Sequence, residues 1–161
     1  MDNAAYEQAH SVILTLTTVG RTLATAESCT GGLLGACLTD VSGASAVYLG
    51  GVISYAYAVK EALLGVDSAL LREKGAVCSE VACQMAQGVR RRLGADFGIG
   101  ITGNAGPGTD PSNPNVGEIY VALADGPQTV CKKLELHGSR EENRRAACTA
   151  AMQLLLEALA E

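Results

Sequence analysis

The 161-residue sequence contains no tryptophan, and only five tyrosines and one phenylalanine. Its interior must therefore be built from Ala, Val, Leu and Ile. It has two histidines, His10 and His137, and none of its six cysteines are spaced Cys-x-x-Cys. That inventory argues against a metal site. No run of about 18 apolar residues is present, so no membrane span is expected. The N-terminus has no basic stretch followed by an apolar one, so no signal peptide is expected, and reduced thiols in a cytoplasmic protein are the simplest reading. The net charge is −5, and no Lys/Arg stripe suited to nucleic acid is visible. The densest basic run, Arg90–Arg92, ends a helical pattern, where cations complement the helix dipole. Neither a Gly-Lys-Ser/Thr phosphate loop nor a Gly-x-Gly-x-x-Gly dinucleotide fingerprint occurs.

What the chain does have is 48% hydrophobic and 18% charged residues, the composition of a folded domain. Its length favours a single domain over residues 1–161. The apolar spacing predicts a helix over Ala4–Thr18 and a buried strand over Thr22–Ser28. A helix with Thr30 as its cap follows, then a second strand over Val47–Tyr55. Further helices are expected over Ala58–Leu64, closed by Gly65, over Ser68–Lys74, capped by Asp67, and over Glu80 to about Leu93, capped by Ser79. A third strand spans Ala95–Gly103. "DGPQ" separates two strands, Glu118–Gly126 and Thr129–Gly138, as a hairpin. Ser139, with Glu142 three residues on, caps a long final helix. Alternating strands and helices followed by a hairpin give an α/β fold. The expected architecture is a three-layer α/β/α sandwich with a mixed, mostly parallel sheet.

In such sheets sites form beyond the carboxyl ends of the parallel strands. The first strand delivers "ESCTGG" (Glu27–Gly32), the second Tyr55 and then Lys60, and the third "TGNAGPG" (Thr102–Gly108). Glycine-rich helix starts and loops can present backbone N–H groups to an anion, although tight turns use the same residues. Lys60 follows two tyrosines, Tyr55 and Tyr57. A lysine at a helix start is usually solvated. Desolvated among tyrosines it would lose its proton more easily and could activate a serine. The candidates are Ser28, Ser45 and Ser54. Ser54 lies within the strand. Ser28 shares the rim with Lys60. Ser45 precedes a strand whose nine residues, at ~3.3 Å each, span roughly 30 Å. It would reach Lys60 only if the chain folds back or a second subunit contributes. Cys29 is a rival nucleophile without an evident base.

Four segments, "TAESCTGGLLGACLTDVSGAS", "GGVISYAYAVKEALLGV", "GAVCSEVACQMAQGVRRRLGAD" and "GITGNAGPG…VGEIYVALADG", resemble the C-terminal domain of the CinA (competence-damage-inducible) family, in its stand-alone form. The resemblance implies nicotinamide-nucleotide amidohydrolase activity. Nicotinamide mononucleotide would be converted to nicotinic acid mononucleotide and ammonia, in pyridine-nucleotide recycling, by a serine–lysine mechanism without metal or other cofactor. Lys60 falls on the family's lysine, Tyr55 on its tyrosine, Thr102 on its hydroxyl residue, and Ser28 and Ser45 both on serine positions. The implied substrate site has the phosphate on N–H groups around Thr30, Gly31 and Gly32 and on the Gly103–Gly106 loop, aided by Arg140. The ring would lie on Tyr55 or Tyr57, and N–H groups near Gly31 or Gly103 would hold the oxyanion. The chain departs from the family pattern at Ala56, Tyr57 and Ala58, at Asn104, at Cys78, and in the Pro- and Asn-rich loop Thr109–Asn115. A non-catalytic nucleotide-binding or partner-binding domain is the alternative. Self-association is expected, because an alanine-rich apolar chain leaves surface to cover.

Overall fold

The computed structural model describes residues 2–161. The element order is α1 (Asn3–Val19), β1 (Leu23–Glu27), α2 (Leu33–Thr39), a short 3-10 turn (Ala44–Ala46), β2 (Tyr48–Ile53), α3 (Tyr57–Leu64), α4 (Ser68–Lys74), α5 (Ser79–Leu93), β3 (Phe97–Gly103), β4 (Glu118–Ala124), β5 (Thr129–Glu135) and α6 (Arg140–Leu159). The five strands form one sheet in the order β2-β1-β3-β4-β5. The β1–β2 and β1–β3 ladders are parallel, and the β3–β4 and β4–β5 ladders antiparallel. Helices cover both faces, so the expected three-layer α/β/α architecture is found. Among the described residues no helix is long and apolar enough to cross a membrane.

Strand alternation sorts large and small residues onto opposite faces. Leu23, Ile99, Ile101, Val121 and Leu123 pack with Val12, Leu16, Met152 and Leu155 of α1 and α6. The other face is a floor of small residues, in which Ala24 pairs with Gly98, Ala26 with Gly100, and Gly100 with Ala122. Helix α5 lies on that floor through Val81, Ala82, Met85, Ala86 and Val89. The approach is too close for larger residues, since a Cβ on Gly100 would stand 2.7 Å from the Ala86 nitrogen and meet the Ala82 carbonyl. On the outer side of α5, a Cβ on Gly88 would collide with the Leu64 carbonyl. The small residues thus seat α5 against the sheet and the end of α3 against α5.

Two expected caps fall elsewhere. Helix α2 starts at Gly32, whose φ of +101° suits glycine, and Thr30 caps nothing. Helix α5 has Cys78 at its N-cap without a side-chain bond, and Ser79 donates to the Glu80 carboxylate instead. Asp67 caps α4, Gly65 closes α3 in the left-handed conformation, and Ser139 with Glu142 forms a complete capping box on α6.

Gly100→Ala is expected to cost about 1–3 kcal/mol, because overpacking against backbone cannot be relieved by a rotamer change. Gly108→Ala, with nothing within 4 Å of the added carbon, should change stability by less than ~0.5 kcal/mol. Urea midpoints of the two variants check this.

Candidate active site

The three parallel strands β2, β1 and β3 end on the same rim. As β1 leaves the sheet, Ser28 donates its N–H to the Ile101 carbonyl at 3.0 Å. Beside it Ser54 donates its N–H to the Glu27 carbonyl at 2.7 Å. Helix α3 then begins, and its first turn carries Lys60 back under the rim. Lys60 is only 1% exposed and heads the largest fully buried side chains. Its Nζ lies 3.0 Å from Ser28 Oγ, 2.6 Å from the Ser54 carbonyl and 3.4 Å from the Tyr55 carbonyl.

All three partners are neutral, so burial is not offset by a paired carboxylate. Burial pulls the Lys60 pKa down to about 8, against a smaller opposing effect from Cys29 and Asp110. An amine that loses a proton keeps two N–H groups. The two carbonyls can take those, which leaves the lone pair facing the Ser28 hydroxyl. That is the arrangement a general base needs.

The turn carrying Ser28 is held from two sides. The Glu27 carboxylate folds over the start of α2 and accepts the N–H groups of Gly32 (3.2 Å), Leu34 (3.0 Å) and Gly35 (3.1 Å). Arg144 reaches across from α6, donating from Nε to the Cys29 carbonyl at 3.0 Å and from Nη2 to the Thr30 carbonyl at 2.8 Å. The Gly31 N–H closes the turn onto the Ser28 carbonyl at 3.0 Å. Two expectations change here. The α2 N-terminus is already filled by the protein's own carboxylate, so it offers no place for a substrate phosphate, and the Gly31 N–H is spent. The N–H groups of Cys29 and Thr30 donate to no oxygen among the described residues.

Above the pair is a cavity of about 310 Å³. Ser28, Lys60, Tyr55, Tyr57, Gly103 and Arg140 line it, with Thr102 at its base. Thr30, Gly31, Gly32 and Gly106 do not. The Thr102 hydroxyl donates to the Ala76 carbonyl at 2.8 Å, which ties β3 to the turn before α5. Arg140 donates to the Gly106 carbonyl at 2.9 Å and to the Tyr55 hydroxyl at 3.3 Å. Cys29 also lines the cavity, but burial pushes its thiol up to about 12, so it stays protonated and a poor nucleophile at neutral pH. Ser54 gives its carbonyl to Lys60 and its hydroxyl to the Glu27 carbonyl at 3.4 Å.

Ser45 is exposed, in the 3-10 turn before β2, and lines a separate hollow with Thr39 and Gly50. Six strand residues of ~3.3 Å each, about 20 Å, lie between it and the rim. Within one chain, Ser45 and Lys60 are not brought together. The sequence reading placed Glu27 on the rim but missed its role as a brace for α2, and it missed Arg144 and Asp110 altogether. Only Arg144 carried a usable signal, because it lies one helical turn after Arg140 on the same face of α6.

A family profile described as "CinA C-terminal domain" matches residues 5–159. A "CinA-like protein" from Frankia casuarinae is 49% identical over 139 residues, covering 86% of this chain and 32% of that protein. Another from Geobacter sulfurreducens is 45% identical over 136 residues, covering 84% of this chain and 33% of that protein. The chain thus spans about a third of the length of these curated relatives. Among solved structures, competence/damage inducible protein CihA from Agrobacterium tumefaciens superposes with a TM-score of 0.94 at 34% identity, covering 100% of this chain and 98% of that one. Competence damage-inducible protein A (ComA) from Klebsiella pneumoniae gives 0.94 at 31%, covering 98% of each.

The burial of Lys60 sets a pH-dependent stability. Its folded pKa lies below its unfolded value, so the penalty is full below about pH 8 and vanishes as pH rises to 10.5. Wild type should therefore gain about 1–3 kcal/mol relative to Lys60→Met between pH 7 and 10.5. Paired urea titrations across that range measure it. A gap between the two proteins that does not move with pH would contradict the buried-amine assignment.

Proposed function

The chain belongs to the CinA C-terminal domain family, and on that premise we propose that it is an amidohydrolase releasing ammonia from nicotinamide mononucleotide, with Ser28 as nucleophile and Lys60 as general base. The observation that carries this reading is the 3.0 Å contact between a buried lysine and a serine hydroxyl that both line a cavity. Neutral Lys60 takes the hydroxyl proton as Ser28 Oγ adds to the carboxamide carbon. The oxygen that becomes negative is received by the N–H of Cys29, which lines the cavity and follows the nucleophile directly. Protonated Lys60 returns the proton to the departing nitrogen, and ammonia leaves with a Ser28 ester behind. Water then attacks that ester, Lys60 accepting its proton and handing it back to Ser28 Oγ, which frees the carboxylic acid.

Arg140 keeps N–H groups beyond the two it spends on Gly106 and Tyr55, and these hold the phosphate. Tyr55, 63% exposed at the rim, offers a face to the ring. The overall negative charge does not draw in an anionic substrate, so attraction is local, from Arg140. The substitutions Ala56, Tyr57 and Ala58 leave the Ser28–Lys60 contact in place. That favours catalysis over a binding-only domain.

Purified protein should release ammonia from nicotinamide mononucleotide. Ser28→Ala and Lys60→Met should each lower kcat/KM by about a thousandfold or more with the fold retained. Because the base must be neutral, the wild-type rate should rise with pH and level off above about 8. Undiminished activity in Ser28→Ala would overturn the assignment of the nucleophile.

A further inference from the structure

The two tyrosines that precede Lys60 end on opposite charges. The Tyr55 hydroxyl accepts from Arg140, whereas the Tyr57 hydroxyl donates to both oxygens of Asp110, at 2.7 Å and 2.8 Å. All four side chains line the cavity, which therefore has one cationic and one anionic wall. Asp110 is held firmly. Asn104 Oδ1 accepts its N–H at 2.8 Å, and its carboxylate accepts the Ser112 N–H at 3.2 Å and the Ser112 hydroxyl. Asn104 also ties down the rest of the loop, donating to the Asn113 and Asn115 carbonyls at 3.0 Å and 3.1 Å. Tyr57 is fixed in turn by the Ala76 N–H at 3.1 Å.

Every hydrogen-bond partner of the Asp110 carboxylate is neutral, and among the described residues no cation lies within salt-bridge distance of it. Partial burial raises its pKa, but the bonds from Ser112 and Tyr57 outweigh that and keep it below the usual carboxylate value, so it is ionised at neutral pH. A phenol donating to a carboxylate has a more electron-rich ring, which strengthens its attraction for a cation on its face.

We infer that Asp110, together with the Tyr57 ring it polarises, selects an amide carried on a cationic aromatic ring, while Arg140 holds the anionic end of the same molecule. This rests on the amidohydrolase reading, and it makes Asp110 a specificity residue rather than a catalytic one. Nicotinamide mononucleotide has a cationic pyridinium ring. Its reduced form keeps the amide, ribose and phosphate but has a neutral dihydropyridine.

Titration calorimetry of both forms against Ser28→Ala, and against that protein carrying Asp110→Asn or Tyr57→Phe, tests the inference without turnover. The parent should bind the cationic form about tenfold more tightly. Asp110→Asn, in which the amide oxygen can still accept from Tyr57, should bring the ratio to within about twofold of one. Tyr57→Phe keeps the charge but releases the carboxylate, and should lower the ratio in part. A ratio unchanged in Asp110→Asn overturns the inference, as does a parent that binds neither form or both equally. Should Asp110→Asn not fold, an unchanged ratio in Tyr57→Phe overturns it. Ammonia release by wild type is read separately, so failure of the deamidase reading is distinguishable from failure of this one.

Discussion

The site depends on a lysine amine kept out of water without a counter-ion. Lys60 has three acceptors, and all are neutral. An ammonium in that position costs free energy, whereas the neutral amine costs little. The cost persists only because the surrounding backbone is fixed. The Ser54 and Tyr55 carbonyls are positioned by the exit of β2 from the sheet. Helix α3 is positioned by α5, which in turn rests on a floor of alanine and glycine. A larger side chain at Gly88 or Gly100 would lift α5 or α3 and move the lysine. The chemistry at the rim and the small residues in the core are parts of one constraint.

The serine is set by a comparable arrangement on the other side. Glu27 fills the start of α2 from within, and Arg144 ties α6 to the carbonyls of Cys29 and Thr30. A turn whose Ser28, Cys29 and Thr30 carbonyls are all engaged has little freedom. That matters because an attacking oxygen displaced by an ångström loses most of its advantage. The consequence is that the helix start, which in isolation looks like an anion site, is an internal strut. In the proposed reaction Arg140 then remains at the cavity to attract an anionic substrate to an acidic protein.

Much of this was readable in the chain. Strand–helix alternation, the "DGPQ" hairpin, the Asp67 cap, the Gly65 stop and the Ser139–Glu142 box are local signals, and each corresponds to a described element. Parallel strand order put Ser28 and Lys60 on one rim before any distance was known. The bonds that cross the fold left almost no such trace, the spacing of Arg144 one turn after Arg140 being the exception. Glu27 read as the first residue of a rim turn and Asp110 as a loop residue, with nothing to show their partners. Each acts through partners set by tertiary packing, and sequence spacing does not encode those. Thr30 and Ser79 are favoured cap residues by type, but Glu27 serves the first helix start from outside the local window. At the second, the cap position falls on Cys78. Ser45, attractive by resemblance, lies at the wrong end of its own strand.

The measurement that bears most directly on the account is the titration of the lysine side chains by nitrogen-15 NMR. The chain has four lysines, Lys60, Lys74, Lys132 and Lys133, so assignment is tractable. One amine should titrate near 8, its signal should vanish in Lys60→Met, and its midpoint should shift in Ser28→Ala. Four amines all titrating near the ordinary value of ~10.4 would contradict the claim that Lys60 is a buried base in contact with Ser28.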